Sequence, residues 1–153
     1  MSDDKSRFSF SAEQARDLSS VLDEIIPPSA DGKLPGAGEL GLVEYLEGAL
    51  QRMSDLQAMI IEGLAALDEL ARSRNAAYFA ALCKEDKVAL LNEQGFVFPL
   101  MFQTYIGYYQ SARVVQALGL EARPPHPKGY EIGASDLTLL DGVVRRRKLY
   151  REC

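Results

Sequence analysis

Gly36-Ala37-Gly38-Glu39-Leu40-Gly41 repeats the G-x-G-x-x-G spacing of a dinucleotide-binding loop. In such a loop the glycines turn tightly and offer backbone amides to a pyrophosphate at a helix N-terminus. The chemistry also needs a strand before the loop and a ribose-binding acid about 20 residues further on. Here the loop-like Asp31-Gly32-Lys33-Leu34-Pro35 comes before, and a leucine-rich helical pattern comes after. The favoured reading is a tight loop that launches a helix, with Gly41 allowing close packing.

Three other clusters carry chemistry-bearing side chains. His126 is the single histidine and sits between Pro125 and Pro127. One histidine cannot build a multi-histidine metal site. It titrates in the range of an acid or base, but no nucleophile or carboxylate constellation stands near it in sequence. Three of the seven prolines fall in RPPHPKGY, the run holding Arg123, Pro124, Pro125, His126, Pro127 and Tyr130. Such a run follows an extended, polyproline-like path. It either straps across its own bundle, anchored by Tyr130, or offers a rigid edge to a partner. Phe98, Phe102, Tyr105 and Tyr109, with Tyr108 beside them, recur at spacings of three and four. Core or core edge is the favoured reading, and a partner interface is the other. Arg145, Arg146, Arg147 and Lys148, with Arg151, form the dense basic cluster, either a solvated tail or an ionic contact.

These residues sit in an acidic chain. Its 153 residues suit one domain, and 47% hydrophobic content can fill one core. A net charge of −5 makes it a poor binder of nucleic acid. No window approaches the roughly 20 uncharged apolar residues of a spanning helix. The N-terminus MSDDKSRFSFS has acids where a secretory signal has bases, so the chain is expected in the cytoplasm. Cys83 and Cys153 make no metal or disulfide framework. One buried and one mobile terminal thiol is the favoured reading.

The elements that position these groups read as helical. Ser11 and Gln14 form an S-x-x-Q capping box before a helix over 12–26, stopped by Pro27-Pro28. Ala15, Leu18, Val21, Leu22 and Ile25 give it an apolar face. A long pattern over 40–74 follows, with Gly48 and Ser54 as points where it bends or divides. Short helices are predicted over 78–82 and 85–94, and an aromatic-rich one over 96–118, with Pro99 in its first turn and Gly119 as its cap. Residues 135–153 form a short helix opened by Ser135 or Asp136, or a partly ordered tail. The expected architecture is all-α: one domain, a bundle of about five helices, with an extended proline-rich strap and a basic C-terminal segment. Residues 1–9 are expected to be flexible.

Taken together, these landmarks resemble the gluconate 2-dehydrogenase subunit 3 family. The matching pieces are FSFSAEQARDLSSVLDEIIPP, PGAGELGLVEYLE, TYIGYYQSARVVQALGLEARPPHPKGY and RRRKLYR. They cover most of the chain, roughly from Phe8 to Arg151.

The resemblance implies a non-catalytic small subunit. Its partner would be a large FAD-dependent oxidoreductase of the glucose-methanol-choline type acting on sugars or alcohols, with a cytochrome subunit as a further candidate. The flavin would then belong to the partner, leaving no catalytic, cofactor or metal residues in this chain. Many family members carry a twin-arginine signal. This chain departs from that pattern, so a periplasmic location would require export with a signal-bearing partner. The partner interface is assigned to Tyr105, Tyr108, Tyr109, Arg123, Pro124, Pro125, His126, Pro127, Tyr130, Arg145, Arg146 and Arg147. The competing reading is a small helical ligand-binding protein or enzyme that uses His126 and the tyrosine cluster.

Overall fold

In a computed structural model, which describes residues 8–122 and 135–146, the first helix begins where its cap signal stands. The Ser11 side chain accepts from the Gln14 N–H, and the Gln14 side chain accepts from the Ser11 N–H. Helix α1, Ala12–Ile25, follows, and Pro27 prevents its continuation. The chain divides into two compact units, residues 1–122 and 123–153. All regular structure among the described residues is helical.

In the first unit α1 packs against α2 (Leu42–Leu50), α3 (Ser54–Ser73), α4 (Lys84–Leu91) and α5 (Val97–Gln110). It also meets a 3-10 turn, Phe79–Ala81, and α6 (Ala112–Ala117) completes the unit. Leu18, Val21 and Leu22 of α1 are fully buried at the centre. Leu46 and Leu50 of α2, Ile60, Leu64 and Leu67 of α3, and Leu100 of α5 close around them. Ahead of α1, Phe8 packs edge-on to Phe10, with ring centroids 4.8 Å apart. The Phe10 N–H donates to Glu47 at 2.9 Å, so the approach to α1 is pinned to α2.

The pattern over 40–74 divides into α2 and α3, with a turn at Gln51-Arg52 and Met53 as the joint. One straight helix of that length would run about 50 Å, against about 20 Å for α1. Only by folding back can both leucine faces reach the same central helix. The pattern over 96–118 also divides. Ser111 has extended backbone between α5 and α6, and the change of direction carries Val114 into the core.

The second unit holds a 3-10 turn, Leu137–Leu140, that runs directly into α7, Asp141–Val144. Asp136 opens it, accepting from the Thr138 N–H. No helix among the described residues is long and apolar enough to cross a membrane.

Candidate functional site

The glycine loop is built against the end of α1. The Ala37 N–H donates to the Ile26 carbonyl at 2.9 Å, closing the return after Pro27-Pro28. The Gly38 N–H donates to Asp23 Oδ1 at 2.8 Å. A Cβ on Gly38 would run into the Ser19 carbonyl oxygen and the Asp23 carboxylate, and one on Gly36 would meet Asp23 as well. The first two glycines are therefore required by close approach to α1. Gly41 is required by its backbone, with φ +78° at the start of α2. The amide that a pyrophosphate would need already holds a carboxylate of the same chain. From the other side, the buried Tyr108 hydroxyl donates to the Pro35 carbonyl at 2.8 Å. The loop is a structural junction of α1, α2 and α5.

A second polar junction ties α1 to α3 and the 3-10 turn. Asp17 is buried, and its Oδ1 accepts from the Ala80 N–H at 3.0 Å. Arg16 pairs with Asp17 and lies over the Tyr78 ring, 3.8 Å from its centroid. Asp68 of α3 accepts from the Phe79 N–H at 2.9 Å. The hydrogen bond to Asp17 raises the already high Arg16 pKa, so this guanidinium stays charged. The sequence reading missed Asp17, Asp23 and Asp68. The available signal was Asp17 beside Leu18 on the apolar arc of α1, where an acid has to find partners.

The aromatic stripe of α5 points outward, which corrects the core reading. Phe98 is 66% and Phe102 is 60% exposed, and Tyr105, Ile106 and Tyr109 are exposed too. Phe98 and Phe102 touch edge-on, 6.1 Å between centroids. The buried side of the helix is Leu100, Thr104, Gly107 and Tyr108. Its small members explain the inversion. A Cβ on Gly107 would strike the Tyr45 ring, so α2 seats an aromatic where α5 has no side chain. Gly107 therefore makes the close contact with α2, and Phe98, Phe102, Tyr105 and Tyr109 are left outside. Beside them, Tyr45, Gly48, Ala49, Gly107, Gln110 and Ser111 line an open groove of about 820 Å³ between α2 and α5.

The assigned interface residues thus separate. Tyr105 and Tyr109 share the exposed face, whereas Tyr108 is in the core. Arg145 and Arg146 are exposed just after α7. Arg123, Pro124, Pro125, His126, Pro127, Tyr130 and Arg147 lie outside the described residues, as does Cys153. Cys83 is free and exposed rather than buried, because it stands at the N-cap of α4 with Sγ 3.3 Å from Asp86. Among the described residues, no group of three or more His, Cys, Asp or Glu is placed to hold a metal ion.

A family model described as gluconate 2-dehydrogenase subunit 3 matches residues 12–95, just over half of the chain. The matched stretch begins with α1, includes the glycine loop and the α1–α3 junction, and ends before α5. No curated protein and no solved structure matches the chain.

Proposed function

The chain belongs to the gluconate 2-dehydrogenase subunit 3 family, and on that premise we propose that it is the non-catalytic small subunit of a flavoenzyme complex. Its partner is a large FAD-dependent dehydrogenase of the glucose-methanol-choline type that acts on sugars or alcohols. The small subunit binds the folded large subunit and stabilises it. The flavin resides in the partner, in keeping with a glycine loop whose Gly38 amide is occupied by Asp23.

One observation carries this reading: α5 has no charged residue from Val97 to Gln110 and leaves four aromatic rings in water. At a typical aromatic area these rings expose roughly 400–500 Å². That matches the largest apolar patch of an ordinary monomer, about 300–600 Å², which is often functional. It supplies about half of the roughly 800 Å² that each partner contributes to a stable interface. Tyrosine and phenylalanine also suit an interface centre, since they bury much area with few torsions to fix. A partner bound only in its folded form gains about 2.7 kcal/mol when the small subunit is at a hundredfold excess over Kd.

The test is co-expression with the large subunit. The expected result is a complex holding both chains and FAD, with a higher large-subunit yield than without the small subunit. A small subunit that elutes alone and leaves the yield and activity of the large subunit unchanged would sink the proposal.

A further inference from the structure

The four rings left in water on α5 are spaced as a seam. Phe98, Phe102, Tyr105 and Tyr109 follow one another at intervals of four, three and four. At 3.6 residues per turn they fall within about 60° of one another. That alternation is the a/d stripe of a coiled coil, the narrow line along which one helix packs on another. The feature it fits is therefore a second helix.

The spacing also reads the same in both directions. Turn α5 about a two-fold axis between Gln103 and Thr104, and Phe98 faces Tyr109 of the second copy while Phe102 faces Tyr105. Every layer then sets a phenylalanine against a tyrosine, a self-complementary arrangement of the kind a two-fold dimer requires. No residue from Val97 to Gln110 is charged. Two chains of net charge −5 therefore bring no like charges together along this seam. Antiparallel packing also sets opposite ends of the two helix dipoles side by side.

The rings are partly fixed before any contact. Phe98 and Phe102 already touch edge-on. Tyr109 packs edge-on to the buried Tyr108, with centroids 5.3 Å apart, and Tyr108 is tied to Pro35. Side chains ordered in advance lose less freedom on docking. Two copies together would cover about 800–1,000 Å² from the rings alone, close to the roughly 1,000 Å² at which a specific interface begins.

We propose that the free chain forms a homodimer through α5, antiparallel, and that the large subunit displaces the second copy. The pairing stands on the seam itself, whereas the displacement rests on the small-subunit reading. Self-pairing would keep the aromatic face out of water until its partner is made.

The experiment is analytical ultracentrifugation of the full-length chain alone, over about 1–300 μM, since an interface of this size is weak. The mass should rise from monomer to dimer with concentration. Pairing should hold or tighten between about 50 and 500 mM salt, because salt screens the repulsion of two acidic chains. Phe102→Asp and Tyr105→Lys should each weaken pairing by about tenfold or more. An equimolar mixture of these two variants should pair again. In the antiparallel register the introduced acid and base share one central layer, and the other central layer keeps its native rings. Unfolding midpoints at about 1 μM, where the chain is monomeric, should match wild type and show that both variants fold. Adding the FAD-dependent large subunit should dissolve the homodimer.

A wild-type chain that stays monomeric throughout overturns the proposal, as does a dimer that salt dissolves or that Phe102→Asp leaves intact. Failure of the mixture to pair overturns the antiparallel register. A dimer that captures no large subunit overturns the displacement and the small-subunit reading, and leaves the pairing standing.

Discussion

The phenol of Tyr108 donates to the carbonyl of Pro35 across 2.8 Å, joining residues 73 apart in sequence inside the core. Few contacts say more about how this fold is assembled. The glycine loop, the end of α1 and the buried side of α5 meet there.

Tyr108→Phe leaves the buried Pro35 carbonyl without its donor and should cost about 1–2 kcal/mol in urea unfolding. Burial, helped by Tyr109, raises the Tyr108 pKa above the ordinary 10.0. The unfolded chain therefore loses this proton at a lower pH than the folded one. The phenol's contribution is intact below pH 10.0 and drains away as pH rises through the folded value. Wild-type stability should fall more steeply on that alkaline limb than that of Tyr108→Phe. Equal slopes would contradict the assignment.

Gly38→Ala tests the glycine loop. The added methyl meets the Ser19 carbonyl and the Asp23 carboxylate, and overpacking of this kind costs about 1–3 kcal/mol. Asp23→Ala removes the acceptor of the Gly38 N–H and should cost a similar amount, about 1–3 kcal/mol. Titration of the wild-type chain with NAD or FAD should give no binding heat. Saturable binding that Gly38→Ala abolishes would restore the nucleotide reading.

Asp17→Ala strips the acceptor from the Ala80 N–H and the partner from Arg16. Hydrogen bonds to a charged group of this type contribute about 1.5–3 kcal/mol, and a loss in that range is expected from the denaturation midpoint. Glu13→Ala, on the exposed side of the same helix, should stay within about 0.5 kcal/mol of wild type.

Phe102→Asp and Leu100→Ala, two residues apart on α5, should behave in opposite ways. Phe102 is exposed, so its change should leave the unfolding midpoint in place and cut recovery of the large subunit in a pull-down. Leu100 is buried, so its truncation should cost about 2–5 kcal/mol. It should spare capture at temperatures where the chain stays folded. Loss of capture only in proportion to loss of stability would mean that the face is not a docking surface.

Local rules made the helices legible. The Ser11–Gln14 capping box, the Pro27-Pro28 stop and the period of Leu18, Val21 and Leu22 depend on neighbours within a turn or two, and each stands in the fold as read. The all-α class follows from them, and the family landmarks follow from the order of such pieces. The break before α3 falls at Ser54, one of the two points the sequence marked for a bend or division. The break at Ser111 was not legible, because a helical period carries no information about the length of the helix it must pack against.

The orientation of α5 was decided by tertiary structure alone. Its sequence has two faces, one of Phe98, Phe102, Tyr105 and Tyr109 and one of Leu100, Thr104, Gly107 and Tyr108, and periodicity does not rank them. Tyr45 seated over Gly107 settled the choice, since only the face holding Gly107 lets α2 come close. The same holds for Gly36 and Gly38, whose spacing could serve a phosphate or a packed helix. What the sequence determined by itself was where the chain coils and which residues are apolar. Which apolar face is covered, and which amide is already taken, depended on partners dozens of residues away that only the folded chain brings within a few ångströms.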